Sequence, residues 1–458
     1  MQILDYKFLQ KDEHTALYNV KTGGIFRVYD ENLRAQLEAT VLTGEISPEL
    51  EVTLTKHKVD SNENITKNNC INAKDFIINR LTLVLTNKCN LRCKYCYANY
   101  GQYTYEKDEQ KDMSIADIDE ITQYFLDNFK GIRHIMFFGG EPTLQSDKII
   151  YTINKFKELK ATNQIAHIPR LGLITNGVYF PVELAQALAD INEGITLSVD
   201  GDMAIQDKLR PTVTNKGSFN SIKKTYNLLL ENNVRRIEIE STYTNQHLID
   251  NVSLVQLVKF FKNEFNCKVP HIVLVNIEDE NELSTIHNKD KLFLYLEELV
   301  EYTFVNLLEN NELNTIGILA GMINKLVKNR SNHKICPAGL NTISIGSDKK
   351  IQPCFMYTSD DEISAGSLEL EGDQVLDNLS KFDDKINNKN NLLECQNCFI
   401  KRVCSSCLGH FNIKGENIQA KSELNCEFSR KMAELVLLKI VEIKEDVNKW
   451  NTLLKNLK

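Results

Sequence analysis

The sequence predicts an α/β protein: a partial (β/α)6 TIM-like barrel, preceded by a small winged-helix-like α+β module and followed by a cysteine-rich domain. Three observations predict it. Between about residues 78 and 280, six apolar strand-length runs alternate with amphipathic helical stretches, the pattern of a parallel sheet joined by crossover helices. Residues 1–65 read as short strands followed by a helix, with no cysteine. After residue 331 seven cysteines fall within 91 residues, too dense for core filler.

In the first unit, Tyr6–Leu9, Thr15–Val20 and Gly24–Tyr29 read as strands, the last two split by a turn at Lys21-Thr22-Gly23-Gly24. Asp30 then caps a helix carrying Leu33, Leu37 and Val41 on one face. Such a unit is either a recognition module or an extension that packs on its neighbour. Ser61–Asn64 and Lys67–Asn69 are polar and linker-like, and Cys70 stands alone there as a bystander.

The barrel region, 78–280, opens with the strand Leu81–Leu85. A helix over Ser114–Phe129 follows, with Ser114 as N-cap and Asp117 three residues on. Next come a strand at His134–Phe138, a helix from Lys148, a strand at Leu171–Ile174 and a helix opened by Pro181 in its first turn. Ile195–Val199, a helix over Ser218–Glu231, the strand Arg236–Thr242, a helix over Asp250–Phe265 and the strand His271–Val275 complete the six repeats. Six such repeats predict a parallel sheet closed or nearly closed into a barrel. Residues 281–330 read as a helical connector (Lys289–Leu308 and Ile316–Lys328). Residues 331–430 form the cysteine-rich domain, with two short strand-like pieces around Gly346-Ser347-Asp348. Residues 431–458 belong to one amphipathic helix, about Ser429–Lys455, including Leu435, Leu438, Ile440, Ile443, Val447 and Trp450.

Composition bounds the function. The chain has 458 residues, 42% hydrophobic and 25% charged, enough for two or three domains. A net charge of −8 and the lack of a basic stripe argue against nucleic acid as the main partner. The start, Met1-Gln2-Ile3-Leu4-Asp5, has no secretion signal, and no apolar run reaches the ~20 residues of a spanning helix. A cytoplasmic protein with no membrane partner is expected, and in a reducing compartment grouped cysteines point to metal binding.

The chemistry centres on Cys89-Asn90-Leu91-Arg92-Cys93-Lys94-Tyr95-Cys96, on the loop leaving the first barrel strand. Thiolates spaced C-x3-C-x2-C can hold three irons of a cubane cluster and leave the fourth open for a small chelating molecule. Zinc sites prefer paired C-x2-C or Cys/His partners. Active residues of such a barrel belong at the C-terminal ends of the strands. There Phe138 runs into Gly139-Gly140-Glu141-Pro142-Thr143, whose glycines let backbone groups approach a ligand and whose carboxylate can meet an ammonium group. The third strand ends in Thr175-Asn176-Gly177 and the fourth in Ser198-Val199-Asp200-Gly201, with Arg210 shortly after. Four polar turns on the rim that carries the cysteines describe a pocket. Further on, Cys336 and Cys354 precede Cys395-x2-Cys398-x5-Cys404-x2-Cys407 and Cys426. Zinc could use four of these; two further iron–sulfur clusters account for more of them.

The Cys89-x3-Cys93-x2-Cys96 triplet with Tyr95, followed by Gly-Gly-Glu-Pro after the second strand, resembles the radical S-adenosylmethionine (SAM) enzymes over residues ~78–280. The resemblance implies that Cys89, Cys93 and Cys96 hold a catalytic [4Fe–4S] cluster whose fourth iron is chelated by SAM. Tyr95 would lie against the adenine, and Gly139, Gly140 and Glu141 would receive the SAM ammonium. Ser198 and Asp200 would contact the ribose region, and Arg210 the SAM carboxylate. The implied chemistry is reductive SAM cleavage and hydrogen abstraction by a 5′-deoxyadenosyl radical. The second cysteine group resembles the SPASM extension, which binds two auxiliary [4Fe–4S] clusters and makes three in all. Cys395, Cys398, Cys404 and Cys426 would hold the outer one, and Cys336, Cys354 and Cys407 the inner. The spacing departs from the SPASM pattern at Lys350, where a glycine is expected, and between Cys404 and Cys407.

The inner cluster is one cysteine short, which leaves it open to a substrate thiolate, Cys267 or a non-cysteine ligand. Sulfatase-maturing relatives carry an aspartate base where this chain has Phe355. The first unit resembles the leader-peptide recognition module (RRE, PqqD-like) of enzymes that modify ribosomally made peptides, which binds by adding a strand to its sheet. The resemblance thus implies a maturase that cross-links a precursor peptide with a leader, a thioether being favoured. C–C or C–O cross-linking, or sulfatase-maturing-type oxidation, are its rivals. Flavodoxin or ferredoxin would be the reducing partner.

Overall fold

The computed structural model describes residues 2–3, 5–11, 14–56, 72–101, 112–191, 193–358, 360–414 and 417–457. The expected linker and Cys70 lie outside them. Among the described residues no helix is long and apolar enough to cross a membrane.

The six barrel strands form where the apolar runs stand: Arg80–Val84, His134–Phe138, Arg170–Thr175, Ile195–Ser198, Ile237–Tyr243 and His271–Leu274. Each pairs in parallel with the next. The crossover helices start at their capping residues. Ser114 accepts from the Asp117 amide while the Asp117 side chain accepts from Ser114; Ser253 and Gln256 repeat this box ahead of Leu254–Phe265. Pro181 sits one place earlier than expected, at the N-cap of Val182–Asp190. Along the strands one set of side chains, including Ile135, Phe137, Leu197, Ile239 and Tyr243, is buried beneath the helices. The alternate set, including Met136, Phe138, Ser198, Glu240 and Thr242, is half-buried and lines the concave face.

The sheet does not close. The free edge of Arg80–Val84 is taken by Thr342–Ile345, which adds in parallel, followed by the antiparallel strands Lys350–Gln352 and Gly366–Ser367. The result is one open nine-stranded mixed sheet. Edge amides and carbonyls that a closed barrel would satisfy internally are satisfied by the cysteine-rich region, which is thereby fixed beside the first cysteine loop.

The N-terminal unit is a four-stranded antiparallel sheet, Gln2–Ile3, Tyr6–Lys11, His14–Asn19 and Ile25–Arg27, followed by helices Glu31–Thr43 and Pro48–Lys56. Asp30 caps the first helix, accepting from the Leu33 amide at 2.7 Å. One sheet face shares a small core with the helices (Tyr6, Phe8, Leu17, Val28, Leu37, Leu50 and Leu54). Val41, expected on that face, is exposed, because Leu37 and Thr40 carry the contact. The opposite face, with Leu9, Ala16 and Tyr18, belongs to the main core and rests on the helix Leu424–Ile443. Lys7 pairs there with Glu434 at 2.7 Å, and Arg27 with Glu445.

The expected single C-terminal helix is two, Leu424–Ile443 and Val447–Asn456. Asp446 caps the second by accepting from the amides of Asn448 and Lys449, which leaves Val447 exposed.

Candidate active site and cysteine centres

The first cysteine loop is anchored from both sides. Arg92 and Lys94 amides donate to the carbonyls of Pro211 (2.8 Å) and Leu209 (3.0 Å). Gly140 and Glu141 amides donate to Thr86 and Lys88 carbonyls, each at 2.8 Å. The glycine pair is required by this approach: a Cβ on Gly139 would lie 2.5 Å from the Thr86 carbonyl oxygen, and one on Gly140 2.3 Å from that of Lys88. Cys89, Cys93 and Cys96 come together. The Cys89 Sγ accepts from the Leu91 amide at 3.4 Å and faces Asn176 Nδ2 at 3.8 Å; the Cys96 Sγ accepts from Tyr100 at 3.2 Å. Burial pushes the Cys89 thiol up to about 11 and Cys93 to about 12.

The other rim residues fall into two knots around this loop. Glu141 is buried and accepts from four donors: the Thr143 amide (3.0 Å) and hydroxyl (2.7 Å), the Thr175 hydroxyl (2.6 Å) and the Asn176 amide (2.7 Å). Burial still raises its pKa. Asp200 is fully buried. It accepts from the Tyr95 hydroxyl at 2.5 Å and the Thr242 amide at 3.1 Å, while its carbonyl meets His247 Nε2 at 2.9 Å. Arg210 Nη1 donates to the Tyr95 oxygen at 2.9 Å and lies 3.6 Å from Asp200. The Arg210 Nε is buried with no partner among the described residues. Ser198 stands on the concave face, in register with Glu240 on the neighbouring strand.

The seven C-terminal cysteines form two groups. Cys395, Cys398, Cys404 and Cys426 line one cavity together with Lys389 and Arg430; burial pushes Cys395 up to about 12 and Cys404 to about 11. Cys336, Cys354 and Cys407 form the second group. Burial moves Cys336 to about 11 and Cys354 to about 12, and neighbouring thiolates of the group reinforce this. The Tyr357 hydroxyl is buried beside these three, without a partner among the described residues. Cys267 is elsewhere: it accepts from Ile239 and Val269 amides and packs into the main core. Among the described residues no three His, Cys, Asp or Glu side chains converge as a single metal ion requires; a cubane, with its irons on separate corners, makes no such demand. Buried thiols in sets of three, four and three fit such clusters in donor chemistry.

The inner group adjoins residues of the barrel's concave face. Phe355 stacks on Phe138, and Asn276 donates to the Gly409 carbonyl at 2.6 Å. Glu240 lies near enough to Cys407 for its charge to raise that thiol, after burial and against Lys421. Glu240 was not singled out in the sequence. The available signal was Glu238 and Glu240 alternating with apolar residues in a barrel strand, two acids on the face that should line the lumen.

Residues 83–261 match the family model of the radical SAM superfamily. A cysteine-type anaerobic sulfatase-maturating enzyme of Clostridium novyi is 26% identical over 338 residues, 70% of this chain and 85% of that protein. A radical SAM cyclopropyl synthase of Paramaledivibacter caminithermalis is 23% identical over 391 residues, 82% of this chain and 76% of that one. The solved structure of polyhistidine-tagged anSMEcpe with bound AdoMet shares the fold, with a TM-score of 0.65 at 18% identity over 83% of this chain and 98% of that chain. Residues 83–261 are thus a radical SAM domain. That family implies SAM and a [4Fe–4S] cluster as cofactors of the domain.

Proposed function

We propose that this enzyme matures a ribosomally made precursor peptide by installing an intramolecular cross-link, a thioether in the first instance. The observation that carries this is the inner cysteine trio, which adjoins concave-face residues of the barrel and has no fourth cysteine among the described residues. When bound, SAM and the cluster at Cys89, Cys93 and Cys96 supply a 5′-deoxyadenosyl radical. The chain's own residues do the rest. Gly139 and Gly140 present backbone groups to the SAM ammonium, while Glu141 is occupied in pinning that turn to the third strand. Tyr95, Ser198 and Asp200 shape the adenosine side, and Arg210 offers its unpartnered Nε–H to the carboxylate. Cys336, Cys354 and Cys407 on one side, and Cys395, Cys398, Cys404 and Cys426 on the other, would hold two auxiliary clusters, which when bound supply sites able to take up an electron. The inner set is one cysteine short of four, which would leave a place for a substrate thiolate, with the Tyr357 hydroxyl beside it.

The N-terminal unit, residues 1–65, serves as the leader-binding module. Its short edge strand Ile25–Arg27 exposes Phe26, and Tyr29 just beyond it is exposed too, a surface suited to strand addition by an extended peptide. Residues 78–280 act as the barrel, 281–330 as connector, 331–430 as the auxiliary-cluster domain and 431–458 as the closing helical segment. A flavodoxin or ferredoxin would deliver the reducing electron in the cytoplasm.

A second reading, C–C bond formation, is favoured by the likeness to a protein named a cyclopropyl synthase. Oxidation of the sulfatase-maturing type is favoured by the likeness to a protein of that name and opposed by Phe355. One experiment separates them: anaerobic incubation of the reduced enzyme with SAM and the precursor peptide encoded beside its gene, followed by peptide mass and thiol alkylation. Loss of two hydrogens with matching loss of alkylatable thiol is the expected result. The same mass loss with every thiol free would establish a carbon link instead. Deleting residues 1–65 is expected to weaken peptide binding and spare SAM cleavage; equal turnover of a leaderless peptide would refute the recognition role.

A further inference from the structure

We infer that Lys389 holds a fixed positive charge against the outer cysteine site and so makes a cluster held there easier to reduce. The inference rests on the reading of Cys395, Cys398, Cys404 and Cys426 as ligands of an auxiliary iron–sulfur cluster.

Lys389 is only 1% exposed. Its Nζ donates to three backbone carbonyls, those of Asn332 (2.9 Å), Lys401 (3.0 Å) and Cys404 (2.7 Å). An ammonium has three N–H donors and meets all three carbonyls. A neutral amine has two, and would leave one buried carbonyl unmet. The geometry therefore selects the charged form. Two of the carbonyls belong to the cysteine run itself, which fixes the ammonium relative to the thiols, and the side chain lines the cavity the four cysteines share. Lys325 reinforces it from the connector, with Nζ on the Val403 carbonyl at 3.2 Å and on the Ser405 hydroxyl. Arg430 lines the same cavity, opposed there by Glu394.

The inner site has a different charge environment. Charges there come in opposing pairs: Lys421 stands against Glu240 near Cys407, and Lys334 pairs with Asp383 at 2.9 Å. Reducing a cluster adds one negative charge. In a buried, weakly screened setting a nearby cation stabilises the reduced form and a nearby carboxylate destabilises it. A cluster held at the outer cysteines would therefore be easier to reduce with the Lys389 ammonium in place than without it.

The test is an EPR-monitored redox titration of the full chain carrying Cys89→Ala, Cys93→Ala and Cys96→Ala, so that only auxiliary signals remain, with the outer signal assigned by its loss in Cys398→Ala. In Lys389→Gln the outer site is expected to become harder to reduce by about tenfold in its reduced-to-oxidised ratio, ~59 mV for one electron, with the inner site unmoved. An unmoved outer potential with full iron content overturns the inference. If Lys389→Gln loses iron or fails to fold, Lys325→Gln tests the same field. A smaller shift in the same direction supports it, and none refutes it. A parent protein with no iron–sulfur signal at the outer cysteines would sink the auxiliary-cluster reading itself, a different failure from a cluster that is present and indifferent to Lys389.

Discussion

Phe355 lies against Phe138, ring centroids 4.3 Å apart at an interplanar angle of 41°. Phe138 is the last residue of the second barrel strand, directly before the Gly139-Gly140-Glu141 turn, and Phe355 directly follows Cys354. The contact joins the backbone that flanks the SAM side to the backbone that carries the inner cysteines, through an apolar wall. A carboxylate at position 355 would meet an aromatic face, with its charge unpaired.

Phe355→Ala should open this wall without touching the first cysteine loop. SAM cleavage is expected to continue while cross-linked peptide per 5′-deoxyadenosine falls, as measured by quantifying both products. Phe355→Asp should not produce a sulfatase-maturing activity, because position alone does not supply the polar surroundings a base needs. Aldehyde formation on a cysteine-containing sulfatase peptide would show that the residue alone separates the two reactions.

Gly140→Ala places a methyl group 2.3 Å from the Lys88 carbonyl oxygen, a backbone atom that cannot swing aside. The segment before Cys89 must shift, at a cost of about 1–3 kcal/mol in stability. The expected outcome is a lower melting temperature together with loss of iron from the first site; auxiliary iron should be retained.

Glu240 stands on the concave face between Ser198 and the inner cysteines, and among the described residues its carboxylate makes no ion pair. A carboxylate so placed is suited to accept the proton released when a cross-link closes. Glu240→Gln is expected to cut cross-link formation about 100-fold or more and to leave uncoupled SAM cleavage intact. Equal losses in both would assign the residue to SAM binding instead.

Much of this was legible in the sequence because it is local. Strand positions follow from apolar runs, and helix starts follow from Ser114 and Asp30, whose caps act within three residues. The first cysteine loop and its glycines are likewise contiguous. What was not legible depends on distant pairing. That Thr342–Ile345 would add to the edge of Arg80–Val84, and so leave the barrel open, is decided by hydrogen bonds between segments some 260 residues apart. The burial of Lys389 could not be read from a polar Asn-Asn-Lys-Asn-Asn stretch, since only the fold brings three carbonyls to its ammonium. Glu141 and Asp200 were placed on the right rim, but their saturation by neighbouring donors is visible only in three dimensions. The break at Lys444–Asp446 was hidden because the apolar periodicity continues through it.

His134 gives a pH dependence. Burial, with Arg80 and Arg170 nearby, lowers its pKa to about 4. Between that value and the ordinary pKa of about 6.5 the unfolded chain takes a proton that the folded chain refuses. The contribution to stability is therefore complete above the ordinary value and is lost as pH falls toward 4. The melting temperature should drop from pH 7 to pH 5, and His134→Gln should flatten that slope, with iron content followed in the same samples to separate cluster loss from histidine protonation.

Arg210 is the sharpest test of the SAM side. Two of its nitrogens are distinguished by their environment: Nη1 is committed to Tyr95, while the buried Nε has no partner among the described residues. Arg210→Lys keeps a positive charge near Asp200 but removes the fixed fork that serves both directions at once. If Nε–H meets the SAM carboxylate, the loss of one charge-assisted hydrogen bond should weaken SAM binding by about tenfold or more, measured by equilibrium dialysis on the reconstituted enzyme. Tyr95→Phe, which removes only the bridging hydroxyl between Asp200 and Arg210, should weaken it less, because the guanidinium stays beside Asp200. An unchanged affinity in Arg210→Lys, with a large loss in Tyr95→Phe, would reverse these roles and make the aromatic residue, not the arginine, the determinant of SAM affinity.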